Sequence, residues 1–373
     1  MAYTTIDDPS AYFQTKIYTG NGGALAVTND GNSNLQPDWA WFKKRGANEG
    51  HALVDTNRGI ARFLASNSTA VEQHQPTTGN TDADDIASFD TDGFTFSGGG
   101  GAYNQSSNTY VAWQWKANGG TTTSQTGSDI NSVTQANTTS KFALITYTGA
   151  SNADSDSDNN SGAYWRVKHG LGSTPKLAIF KKRSSAAAWY VWHHKLGGTQ
   201  DQKYLQLQGT NAVATESDIL FGNTDWSSTE FEIGGWDVVN RDSSTYVAYM
   251  FDEVQGYSKF GTYTGNANDD GPFLYTGFKP KFAIFKASSA AGEGWAIRDS
   301  ARDPFNQMSG KLSANVNAQE GTTADDNDCD FLSNGIKLRS NDNQMNKTGT
   351  TFVYIAFAEH PFVSSKGVPV TAR

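Results

Sequence analysis

The chain of 373 residues contains a single cysteine, Cys329. One thiol cannot form an internal disulfide or furnish a cysteine-based zinc site, so packing alone must hold the fold. No apolar run approaches the roughly 20 residues that span a bilayer. The opening MAYTTIDDPS lacks both the basic start and the apolar stretch of a secretory signal. The expectation is synthesis in a cytoplasm without membrane insertion. Charged residues are sparse at 18%, and the net charge of −9, with an isoelectric point near 5.1, argues against nucleic acid as a partner. Hydrophobic residues reach only 36%, yet aromatics make up 12%, which excludes disorder and points to thin β cores between polar loops.

Only nine prolines are present, and three of them mark the same position in a repeat. LQPDWAWFKKR (residues 35–45), LGSTPKLAIFKKR (171–183) and GFKPKFAIFK (277–286) each place a proline before apolar residues that end in Phe-Lys. Proline suits the start of a strand, and the apolar run reads as a strand buried on both faces with its basic end in solvent. Each copy opens with a Tyr-Thr-Gly element, at Tyr18, Tyr147 and Tyr263, and closes on an aromatic strand, TYVAWQW, TYVAYMF or TFVYIAF. From the proline to the closing aromatic (Tyr110, Tyr246, Phe352) the separations are 73, 71 and 72 residues. Asp92-Gly93 and Asn334-Gly335 between apolar residues are hairpin signals, with a weaker middle copy at residues 231–235. Copies one and three carry an Asp and an Arg three apart, Asp55/Arg58 and Asp299/Arg302, which read as a local ion pair. The middle copy lacks this element.

Many short strand signals and no amphipathic helix predict an all-β chain of three tandem antiparallel β-sandwich repeats, jelly-roll-like in character. The expected division is an N-terminal anchoring segment (1–16), repeat one (17–117), a polar linker (118–140), repeat two (141–253), repeat three (254–362) and an extended tail (363–373). The linker is rich in Gly, Thr, Ser and Asn and is expected to leave repeat one its own orientation.

Chemistry-bearing motifs are few. No HExxH, GxSxG elbow, P-loop or dinucleotide fingerprint stands in the required context, and no acid recurs in all three copies with an activating neighbour, so no enzyme is expected. Alternating Asp154, Asp156 and Asp158 offer hard oxygen ligands and are the calcium candidates; the competing reading is a solvated loop, since Asn159 and Trp165 break the EF-hand pattern. No other cofactor is expected. Trp39 and Trp41 share one strand face, as do Trp113 and Trp115, which makes these four the candidate surface-binding residues.

With the repeat laid out, the chain resembles a family of virion proteins from marine tailed bacteriophages. The resemblance rests on the YTTIDDPSAYFQTKIYTGNGG start, the YTGNG element (18–22), HGLGxxPK (169–176), the DxxRG element (55–59) and the TYVAYxF-type segment (104–115). It implies a tail fibre, appendage or capsid-surface component located on the virion. Its implied partners are other virion proteins, further copies of the chain (a trimer is favoured) and host cell-surface glycan. The alternative is a lectin-like carbohydrate-binding module without a structural role.

Overall fold

Period-two alternation decides what each long strand faces. In the first closing strand, Thr109–Trp115, Val111, Trp113 and Trp115 enter one apolar core while Ala112 enters another. Successive strand residues point to opposite faces, so a strand buried on both needs an unbroken apolar run. The computed structural model describes residues 2–74, 86–150, 164–197, 203–216, 220–222, 226–321 and 328–370.

Each repeat forms a large sheet with the same antiparallel order: opening, closing, proline, second and third strand. In repeat one these are Phe13–Thr19, Thr109–Trp115, Trp39–Lys44, Ala52–Asp55 and Arg62–Leu64. Repeat two uses Phe142–Thr148, Thr245–Phe251, Leu177–Lys182, Trp189–His193 and Lys203–Gln206. Repeat three uses Ser258–Thr264, Thr351–Pro361, Phe278–Ala287, Ala296–Asp299 and Leu312–Ser313. A small outer sheet covers one face of each. It contains Leu25–Val27, Gly93–Phe96 and Ile86–Asp90 in repeat one, Trp165–Lys168 and Glu230–Ile233 in repeat two, and Phe273–Tyr275, Gly335–Leu338 and Cys329–Leu332 in repeat three. The chain is an all-β sandwich fold repeated three times. Both Asx-Gly signals form hairpins, pairing Asp90 with Gly93 and Leu332 with Gly335.

The Tyr-Thr-Gly element is a close approach of two backbones. A Cβ on Gly20, Gly149 or Gly265 would lie 2.4, 2.1 or 2.3 Å from a backbone oxygen of the segment before the closing strand. A buried asparagine clamps each turn: the backbone N–H groups of Asn21, Ala150 and Asn266 donate to the side chains of Asn104, Asn240 and Asn346.

Three local cores lie between the large and outer sheets. The opposite faces of all three large sheets meet in one central core. The register makes Trp115, Phe251 and Phe357 equivalent, since they face Trp39, Leu177 and Phe282 on the proline strands. Their rings meet one another, with centroids 6.5 Å (Trp115–Phe251), 5.6 Å (Trp115–Phe357) and 5.6 Å (Phe251–Phe357) apart. A pseudo-three-fold axis passes through this triad, and the repeats form a closed ring around it. Aromatic pairs of this kind add about 0.5–1.5 kcal/mol each beyond their burial.

The segment read as a polar linker contains two strands, Thr123–Gln125 and Ser132–Asn137, and the latter pairs in full register with the opening strand of repeat two. It is tied to repeat one by hydrogen bonds: Asn57 Nδ2 donates to Val133 O, and Gln135 Nε2 donates to Thr56 Oγ1. The start of the segment is pinned by buried Asp38, whose carboxylate accepts from Ala117, Gly119 and Gly120 N–H at 2.7, 2.9 and 2.6 Å. The leader reaches repeat three, with Tyr3 Oη donating to Gly277 O, Tyr12 packing on Tyr257, and Ser365 of the tail donating to Asp7. The first opening strand already begins at Phe13. Pro280 lies inside its strand rather than at its start, at a register shift of the kind where a strand tolerates proline. The basic strand ends are not in solvent: Lys43, Lys181 and Lys286 are fully buried, because they continue the inward register of Trp41, Ile179 and Ile284.

Candidate functional site

Among the described residues, a dense constellation of charged side chains lies in the seams between repeats. Asp55, His193 and Asp299 are equivalent ends of the second strands, facing Trp39, Leu177 and Phe282. In repeat one, Arg58 donates its backbone N–H and its Nε to Asp55, and its Nη1 reaches Glu72 at 3.0 Å. Tyr249 Oη from repeat two completes Asp55 at 2.8 Å. Repeat three repeats the arrangement. Arg302 donates to Asp299 and Glu320, and Trp113 Nε1 from repeat one donates to Asp299 at 3.0 Å while its indole lies beneath the Arg302 guanidinium. Trp113, Tyr249 and Ile355 are themselves equivalent closing-strand residues.

This explains why the middle copy lacks the Asp-x-x-Arg element. Its facing residue is Ile355, which has no donor to offer a carboxylate. His193 takes the aspartate's place and its Nε2 reaches the Tyr354 carbonyl of repeat three at 3.4 Å. Leu196 replaces the arginine and Val213 the glutamate, both packed on the central core. A buried ion pair with one partner missing is strongly destabilising, so the group is exchanged as a unit.

Two further belts follow the same cyclic order. His51, Trp189 and Trp295 occupy equivalent positions where the chain enters the second strands. His51 Nε2 meets Ser313 O (3.1 Å), Trp189 Nε1 donates to Ala65 O (2.9 Å), and Trp295 Nε1 donates to Gln206 O (2.9 Å), the three carbonyls occupying equivalent positions in the neighbouring repeat. Backbone N–H groups of Glu72, Val213 and Glu320 donate to the carbonyls of Arg183, Ser288 and Arg45. Arg183 pairs with Glu72 and Arg45 with Glu320, whereas Ser288 meets Val213, so both charges are lost together in the third seam.

Burial opposes the Arg58 charge, but Asp55, Tyr249 and Glu72 outweigh it and hold the guanidinium above its ordinary range. Burial pushes the amines of Lys43, Lys181 and Lys286 down to about 8; each donates to a backbone carbonyl at 2.8 Å, Lys44, Lys182 and Glu293 respectively. Burial also pushes His51 and His193 down to about 3 and His169 to about 4. In each imidazole Nδ1 accepts an N–H, from Trp41, Lys195 or Leu171, which assigns the neutral Nε2–H tautomer. The His169–Leu171 bond closes a local turn within the His-Gly-Leu-Gly segment.

Asp55 and Asp299 are at most 1% exposed and their oxygens are committed to arginine, indole or phenol donors, so the seams are clamps and not a substrate site. Trp39, Trp41, Trp113 and Trp115, expected to offer a binding surface, are at most 2% exposed. Their outward face is covered by the other two repeats; Trp39, for example, stacks on Tyr249 of repeat two at 4.4 Å. Asp154, Asp156 and Asp158 lie outside the described residues. Among the described residues, no group of three or more His, Cys, Asp or Glu side chains is placed to hold a metal ion. The seam residues were not singled out as a site by sequence reasoning; the available signal was that Asp-x-x-Arg occurs in two copies only.

A family model, a domain of unknown function designated DUF7483, matches residues 8–361, and the chain belongs to that family. Neither the curated proteins nor the solved structures contain a match.

Proposed function

We propose that the chain is a structural protein of a tailed bacteriophage particle, a tail fibre, appendage or capsid-surface component that contributes to host-surface attachment, and that it performs no catalysis. The observation that supports this reading is the ring itself. Asp55 and Asp299, buried with their arginines, each accept a hydrogen bond from a neighbouring repeat, from Tyr249 or Trp113, so buried charge helps to lock repeat to repeat, as suits a protein whose task is to hold shape without disulfides. The motif resemblance to marine phage proteins points the same way. A homo-oligomer, with a trimer favoured, belongs to the proposal, its contacts being made by the outer surfaces because the inner faces are already used within one chain.

The test is mass spectrometry of density-purified particles together with labelling of intact particles by antibody against the chain. The proposal expects the chain in stoichiometric amounts on the particle surface. A chain abundant in infected-cell lysate but missing from purified particles would overturn it and favour the free carbohydrate-binding module.

A further inference from the structure

The three repeats act as controls for one another, because the same outer-sheet positions are occupied three times. Val27, Val167 and Leu274 are equivalent inward residues, facing Phe94, Phe231 and Ile336. The residues flanking them point outward and have diverged: Ala26 and Thr28 in repeat one, Arg166 and Lys168 in repeat two, Phe273 and Tyr275 in repeat three. Phe273 is 46% and Tyr275 55% exposed, and with Phe305 at 78% they are the exposed aromatics of the described residues, all in repeat three. Burying an aromatic inside a sandwich needs no explanation, but leaving two side by side on one strand face, where the sister repeats place small or charged residues, does.

The rings are held in place. The end of the Phe273 ring packs over Gly335, where a Cβ would come within 2.6 Å of it, so the glycine makes room for the ring against the backbone while the side chain stays exposed. Tyr275 Oη meets Tyr3 Oη of the leader at 3.3 Å, and Tyr3 is fixed in turn by donating to Gly277 O at 2.8 Å. Next to Phe273, Lys337 pairs with Asp270 at 2.6 Å, and the Asp270 side chain is 82% exposed. Flat apolar faces thus stand beside two phenol hydroxyls and a neutralised ion pair. That surface fits a ligand with apolar C–H faces and a hydroxyl rim and no net charge. We propose that Phe273 and Tyr275 form a platform for a neutral pyranose saccharide, with Tyr3 and Asp270 as its hydrogen-bonding edge. This rests on the reading of host-surface contact and names the residues that would make it.

The experiment uses the full chain. It is screened on an array of bacterial surface polysaccharides, and the strongest neutral oligosaccharide is measured by saturation-transfer NMR and calorimetric titration. The expected result is transfer to ring C–H protons, with an affinity loss on the order of tenfold for Phe273→Ala and for Tyr275→Ala, and no change for Arg166→Ala at the equivalent site of repeat two. If Phe273→Ala lowers the melting temperature, Tyr275→Ala alone carries the comparison. No saccharide bound, binding indifferent to both substitutions, or a virion protein retained by the patch in place of saccharide would each overturn the proposal. The particle location is tested separately, so this site can fail while the virion reading stands.

Discussion

Replacing Asp55 by alanine should destabilise the ring far more than its single carboxylate suggests. Asp55 is fully buried and accepts from the Arg58 backbone, Arg58 Nε and Tyr249 Oη. Its removal strands a guanidinium whose side chain is 0% exposed, leaving it Glu72 and the Leu53 carbonyl. Breaking one side of a buried pair costs about 3–5 kcal/mol, a large share of the roughly 5–15 kcal/mol by which folded proteins are stable. The molecule carries its own remedy in the third seam. Combining Asp55→His, Arg58→Leu, Glu72→Val, Tyr249→Phe and Arg183→Ser follows the solution built from His193, Leu196, Val213, Ile355 and Ser288, with Phe in place of the isoleucine to keep the ring stacked on Trp39. Because the only charge that then loses its partner is the half-exposed Arg62, and no buried member of an ion pair is stranded, the fivefold variant should lose no more than about 2 kcal/mol, less than the single substitution does. Urea unfolding followed by far-ultraviolet circular dichroism measures both. A fivefold variant less stable than Asp55→Ala, with losses that simply add, would refute the idea that the seam is exchanged as a unit.

Acid should weaken the ring before the carboxylates titrate. His51, His169 and His193 have folded values depressed to about 3, 4 and 3, so below about pH 6.5 the unfolded chain takes up protons that the folded chain refuses. Stability should therefore be intact at pH 7.5 and fall on the way to pH 5, with a limiting slope of about 1.4 kcal/mol per pH unit for each histidine; a flat urea midpoint between pH 7.5 and 5 would contradict this. Asp38→Ala unpins Ala117, Gly119 and Gly120 and should cost about 2–4 kcal/mol. It should also raise hydrogen exchange at 117–125 first, and unchanged exchange there would argue against the clamp.

Much of the fold was legible because repetition supplies its own check. The near-constant distance from Pro37, Pro175 and Pro280 to Tyr110, Tyr246 and Phe352 marks three copies, and the Asx-Gly pairs mark hairpins that form where expected. What buries a strand is harder to read than that it is buried. The alternation in TYVAWQW requires cover on both faces but does not say that the second cover is two sister repeats, and so Trp113 and Trp115 read as surface residues. Ser132–Asn137 escaped notice because its place in the sheet is held by main-chain pairing and by Thr56 and Asn57, which leave no apolar pattern. The basic ends misled for a related reason. Lys43 and Lys181 satisfy their ammonium groups on the next residue's carbonyl, a partner that every sequence possesses. Asp55/Arg58 and Asp299/Arg302 were read correctly as local ion pairs, but their partners Tyr249 and Trp113 lie 194 and 186 residues away in sequence.

The central claim is that three repeats share one core and close into a single ring. Differential scanning calorimetry of the whole chain tests it most directly, since independent sandwiches joined by a flexible linker melt independently. The ring predicts one transition with calorimetric and van't Hoff enthalpies in agreement, shifted as a whole to lower temperature by Asp55→Ala. Two or more resolved transitions, with repeat one melting apart from the others and the remainder unmoved by Asp55→Ala, would contradict it.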